Sequence, residues 1–220
     1  MKKLLLLLPL LALAGCEMGG YDEGTGEYSM LTGDFVEAHT NAECAVDYAL
    51  TDGGDSLALT PAVSVSWAVR PDTMYRAVLY YDRSDGSSVR PRSLAAVPVL
   101  SVQPAVQLDS VQTDPVDLES AWLSASGRYL NMGLYLKTGE GDDDDAHHTV
   151  GMVCDSVTMS DSGASTAHLR LYHDQGGVPE YYSSKTYVSI ARRAIPADSV
   201  ALTVNTYDGT VTRRFRLSEQ

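Results

Sequence analysis

Residues 114–137 (DPVDLESAWLSASGRYLNMGLYLK) hold two alternating runs on either side of a short Ser/Gly turn. Val116, Leu118 and Trp122 fall on one parity, with Asp117 and Glu119 on the other. After residues 124–127, Leu130, Met132, Leu134 and Leu136 are apolar, and Asn131, Gly133 and Lys137 lie between them. Period two over runs this long marks half-buried antiparallel strands joined as a hairpin. No segment after the leader sustains a three-and-four repeat, so long helices are not expected. Thirteen Tyr against two Phe and two Trp agree with strands. An apolar fraction of 44% argues against disorder.

The hairpin divides the chain. Before it, residues 75–83 (YRAVLYYDR) form the best strand, followed by the Asp85-Gly86 turn signal. Residues 63–69 alternate, with Trp67 on the inner parity, and residues 97–102 read as a further strand of this half. Five or six short strands in about seventy residues make a small barrel or sandwich, an oligonucleotide/oligosaccharide-binding (OB) type of barrel being one option. After the hairpin, strands are expected over residues 149–158, 166–172 and 185–191. A closing hairpin follows across Asp208-Gly209. About seven strands in a hundred residues is the spacing of an immunoglobulin-like β-sandwich. The fold class is therefore all-β, a small OB-like barrel followed by a sandwich. Residues 104–115, flanked by prolines, mark the boundary. The units are a leader at 1–15, an anchor and tether at 16–33, a barrel at 34–104 and a sandwich at 105–220.

The leader has a basic start, Lys2-Lys3, and a Leu/Ala run too short to span a bilayer, which makes it a signal peptide. It closes on Leu13-Ala14-Gly15-Cys16, which resembles the bacterial lipobox. That resemblance implies cleavage before Cys16, diacylglycerol on its thiol and an acyl chain on its new amine. Two or three acyl chains anchor a protein stably. Residues 17–27 are Gly-rich and acidic and read as a flexible tether. Glu17 is not the Asp that would hold the protein at the inner membrane, so the expected location is the outer membrane, with periplasmic and surface orientation both open. The net charge of −13, or −15 once Lys2 and Lys3 are removed, repels nucleic acid. The expected partners are the membrane, through the lipid, and an envelope protein or glycan.

Residues 114–136 also carry a family resemblance. Asp114-Pro115, Trp122-Leu123-Ser124 and Gly127-x-Tyr129-Leu130-Asn131 resemble the NigD-like lipoproteins of Bacteroidetes-type bacteria. That resemblance implies an N-terminal OB-like barrel and a C-terminal β-sandwich. It hints at a bacteriocin-immunity role and assigns no catalytic residues.

Candidate chemistry is sparse. Asp142 to Asp145 run straight into His147 and His148. Carboxylates suit calcium and imidazoles suit zinc or nickel. Calcium loops, however, space their ligands, and four adjacent aspartates cannot all point inward, so a solvated hairpin tip is the simpler reading. Asp142, Asp144, His147 and His148 stand as weak metal candidates. His168 and His173, five apart on a strand, fall on opposite faces. Cys44 and Cys154 lie in different halves, and a disulfide between them would have to cross the interface. Trp67, Trp122 and the Tyr80-Tyr81 pair fit a core better than a sugar platform. Tyr181 and Tyr182, after a Gly/Pro loop, are the better candidates for a ligand edge. With no Gly-x-Ser-x-Gly elbow and no His-Glu-x-x-His, no catalytic residue and no cofactor is expected. The reading is a non-catalytic envelope binding module, with bacteriocin immunity and an unrecognised enzyme as the alternatives.

Overall fold

The computed structural model describes residues 31–83, 87–141 and 145–217. The leader, Cys16, the turn residues 84–86, Asp142 and Asp144 lie outside the described residues. Within them the chain forms thirteen strands and two single 3₁₀ turns, at Ala105–Gln107 and Arg192–Ala194.

The first five strands are β1 (Leu31–Thr40), β2 (Ala45–Thr51), β3 (Ser56–Ser64), β4 (Met74–Arg83) and β5 (Ser88–Ala96). They close into a barrel in the order β1-β2-β3-β5-β4, and β4 pairs back onto β1. β3 and β5 close it with a short parallel pairing. Of the barrel and sandwich that strand spacing left open, this is the closed OB-like barrel that the resemblance implies, and closure removes its sheet edges. Val36, Leu57, Leu59, Leu79, Tyr81 and Val89 fill the interior, with Trp67 packed against them. β3 continues through Pro61 to Ser64, and residues 65–73 are loop, so the expected strand at 63–69 survives only in its first two residues.

Two sheets make the sandwich. The larger has the order β13-β12-β10-β9-β6, built from β6 (Val102–Pro104), β9 (Thr149–Met159), β10 (Ser165–Asp174), β12 (Ser199–Thr206) and β13 (Gly209–Arg216). The smaller is β11-β8-β7, from β7 (Asp117–Leu123), β8 (Tyr129–Thr138) and β11 (Tyr182–Ala191). Leu130, Met132, Leu134, Met152, Leu169, Ile190 and Leu202 form the core between them. Val97 N–H still donates to the Arg76 carbonyl of β4 at 2.9 Å, and residues 98–102 leave the barrel. Leu100 N–H donates to the Ser189 carbonyl at 2.8 Å, Ser189 N–H donates to the Pro98 carbonyl at 2.9 Å, and Val102 pairs with Met152.

Two parity expectations change. The register of β7 against β8 shifts between Leu118 and Ser120. A bulge inverts the side-chain sense of the strand beyond it. Leu118, Ala121 and Leu123 therefore pack on the sandwich core, while Trp122 turns outward onto Phe35 of the barrel. β8 is buried on both faces, Asn131 being as inaccessible as Leu130. Its inner face meets the other sheet, and its outer face meets the barrel.

Candidate functional site

The barrel–sandwich joint is the most highly organised polar region. Arg76 on β4, 6% exposed, donates from both terminal nitrogens to Asp52 at 2.7 and 2.6 Å and also to Asn131 Oδ1 at 3.2 Å. Its guanidinium lies 4.1 Å from the centre of the Tyr129 ring, within cation–π range. Ser189 hydroxyl donates to Asn131 Oδ1 at 2.7 Å. Glu37 accepts from the Tyr129 hydroxyl at 2.7 Å and pairs with Arg128. Burial first, then the bonded Glu37 carboxylate, push the Tyr129 hydroxyl up to about 12, against a smaller opposing pull from Arg76 and Arg128. Phe35, Trp122 and Tyr187 complete the joint edge to face. With every charge partnered, this is a clamp between domains. Sequence reading missed it, although an arginine inside YRAVLYY and an asparagine inside YLNMGL were its visible traces. Beside it a groove of about 370 Å³ runs between Tyr80, Ala95, Lys185 and Tyr187.

Some of the residues singled out from sequence, His147, His148, His173, Tyr181 and Tyr182, converge elsewhere, at one end of the sandwich. Three connections meet there: residues 109–116, the β8–β9 loop and the β10–β11 loop. Asp114, from the Asp-Pro pair, ties two of them. Its N–H donates to the His173 carbonyl at 2.9 Å, and its carboxylate accepts from Gln175 N–H at 2.7 Å. Gln175 Nε2 donates to the Lys137 and Val178 carbonyls, both at 2.9 Å. Two glycines allow the loops to touch. A Cβ on Gly139 would meet the Tyr181 ring at 2.6 Å, and Gly176, at φ +58°, would meet the His147 carbonyl oxygen at 2.1 Å. Tyr181 and Tyr182 stand 75% and 57% exposed on this braced base.

His147 donates from Nδ1 to the Asp145 carbonyl at 2.7 Å, so its ring is engaged locally. His148 turns inward, and its Nδ1 lies 3.1 Å from Nε2 of buried His173. Burial, and then the neighbouring imidazole, hold His148 below the usual histidine range. His173 and His168 do lie on opposite faces. His168 bonds Thr158 at 3.0 Å on the outer face, and His173 is buried. Among the described residues no group of three or more His, Cys, Asp or Glu is placed to hold a metal ion. Cys44 and Cys154 are free thiols, one in the β1–β2 turn and one on β9. Tyr81 is barrel core, its hydroxyl donating to Asp34 at 2.7 Å, and Tyr80 packs over Gly33.

No curated protein matches the chain in sequence. Solved structures do match its fold. A NigD-like immunity protein of Bacteroides caccae is 24% identical, with a TM-score of 0.61 over 84% of this chain and 91% of its own. A protein of unknown function from Bacteroides vulgatus is 18% identical, with a TM-score of 0.61 over 86% of this chain and 92% of its own. A candidate lipoprotein of Bacteroides fragilis is 11% identical, with a TM-score of 0.58 over 86% and 98%. The family model for the NigD-like C-terminal β-sandwich domain matches residues 98–217, more than half of the chain and the whole described sandwich from the Leu100–Ser189 bond onward. The chain belongs to the NigD-like family.

Proposed function

We propose that this protein is an outer-membrane lipoprotein, tethered through Cys16, that works as a non-catalytic binding module for an envelope protein or glycan. The observation that carries the binding reading is the loop end of the sandwich. There two adjacent tyrosines stand exposed, Tyr181 ending a loop that Asp114 and Gln175 hold in place and Tyr182 opening β11. Tyrosine supplies a large amphipathic contact at low entropic cost, which suits recognition. Binding sites favour loops on a rigid scaffold, and this scaffold is a doubly sheeted sandwich. The anchor rests on Leu-Ala-Gly-Cys closing the leader. The likeness to a solved candidate lipoprotein fits it, and among the described residues no helix is long and apolar enough to cross a membrane.

The test of binding is retention of envelope proteins or glycans by the full-length protein in detergent. Wild type retains a partner, and the Tyr181→Ala/Tyr182→Ala variant loses at least tenfold of that affinity; equal retention by both rejects the site. For the anchor, Cys16→Ser abolishes incorporation of a labelled fatty acid, and incorporation that persists rejects Cys16. A second reading, immunity, is favoured by the description of the Bacteroides caccae structure. It expects deletion of the gene to sensitise the cell to a co-produced toxin, and unchanged sensitivity rejects it.

A further inference from the structure

Each imidazole of the His148–His173 pair has one nitrogen facing its partner and one facing the protein. His173 Nδ1 lies 3.0 Å from the Asp114 carbonyl oxygen. A carbonyl only accepts, so that nitrogen carries the proton and Nε2 carries a lone pair. His148 Nε2 is buried and has no hydrogen-bond partner. His148 Nδ1 lies 3.1 Å from the His173 Nε2 lone pair and donates its proton to it. The ring centres are 5.3 Å apart and the planes differ by 20°, so the rings meet edge to edge with the nitrogens between them. The shared proton marks the place where one cation can be held by both rings.

We propose that His148 and His173 form a two-imidazole site for a borderline divalent transition-metal ion, with Zn²⁺ as the first case. Imidazole nitrogens bind zinc at about 2.0–2.1 Å, which sets two of them about 3.3 Å apart on a tetrahedral ion. The observed separation needs only a small opening. The Asp114 carbonyl holds the His173 Nδ1–H, the usual support for a ligating histidine. Water fills the remaining positions. The whole chain is strongly acidic, with a net charge of −13, which favours a cation over an anion. Binding displaces any proton the two rings share. The site stands whether or not the tyrosines above it recognise a partner.

The experiment is zinc titration of the untagged full-length chain in detergent, read by competition with a metallochromic indicator. Wild type binds one Zn²⁺ per chain with micromolar affinity. His148→Ala weakens binding at least tenfold, and His147→Ala and His168→Ala stay within twofold. Absence of saturable binding in wild type, or unchanged affinity in His148→Ala, overturns the site. Should His148→Ala fail to fold, the Co²⁺-loaded wild type decides. Two paramagnetically shifted imidazole N–H resonances support the site, and none overturns it.

Discussion

Arg76 carries a charge into the joint between domains, and the joint is arranged around that charge. Its side chain is almost fully buried and Asp52 nearly so. Breaking a buried pair by removing one partner costs about 3–5 kcal/mol, because the other charge is left uncompensated. Arg76→Met should therefore lower unfolding stability by that amount in denaturant titration, and a loss under 1 kcal/mol would show that the pair is dispensable. Tyr129 supplies a pH test. Its proton is held more tightly in the folded state, so the stabilisation is complete below the ordinary tyrosine value of 10.0 and is lost as pH rises towards about 12. Tyr129→Phe removes that alkaline loss, visible as a flatter stability profile between those limits. The sequence shows Arg76 only as a charge in an apolar strand. Its partners come from positions 52, 131 and 189, and only closure of the barrel beside the sandwich brings these together.

At the scale of elements, alternation located most strands, because a half-buried strand must repeat every second residue. It failed where a strand is covered on both sides or shifts register. β8 reads as half polar because Asn131 and Gly133 interrupt its apolar positions, yet both are buried under the barrel or β7. One residue of bulge in β7 reassigned Trp122 from core to joint. Gly133 tests this packing. A Cβ there would meet Glu119 at 2.8 Å and the Tyr187 ring at 3.2 Å, so neighbours must move. Gly133→Val should cost about 1–3 kcal/mol by overpacking, measured by thermal unfolding, and a neutral result would mean the outer face of β8 is loosely packed. The loop end was legible only in part. Tyr181, Tyr182, His147 and His148 were visible as unusual residues, but His173 looked unrelated, because its neighbour is 25 positions away.

For the whole molecule, the two architectures were readable from strand number and spacing, and their relation was not. A barrel and a sandwich can be joined flexibly, and then each melts by itself. Here the chain passes from Val97, bonded to β4, directly onto β11, and the Arg76–Asp52–Asn131 cluster with the Phe35–Trp122–Tyr187 trio seals the contact. Calorimetry should therefore show one cooperative transition for wild type and two for Arg76→Met. Two transitions in wild type would mean that the seal contributes little.

Trp122, Tyr129 and Asn131, which drew attention as a signature, all look towards the barrel and away from solvent. In this chain those three residues thus describe how the halves greet each other, while Asp114 of the same stretch serves the loop end. A sandwich severed from its barrel would bare Asn131 and an aromatic patch to water, with no remaining reason to keep them. Relatives that have lost the first half should accordingly spell this stretch differently, while leaving the inward-facing leucines alone.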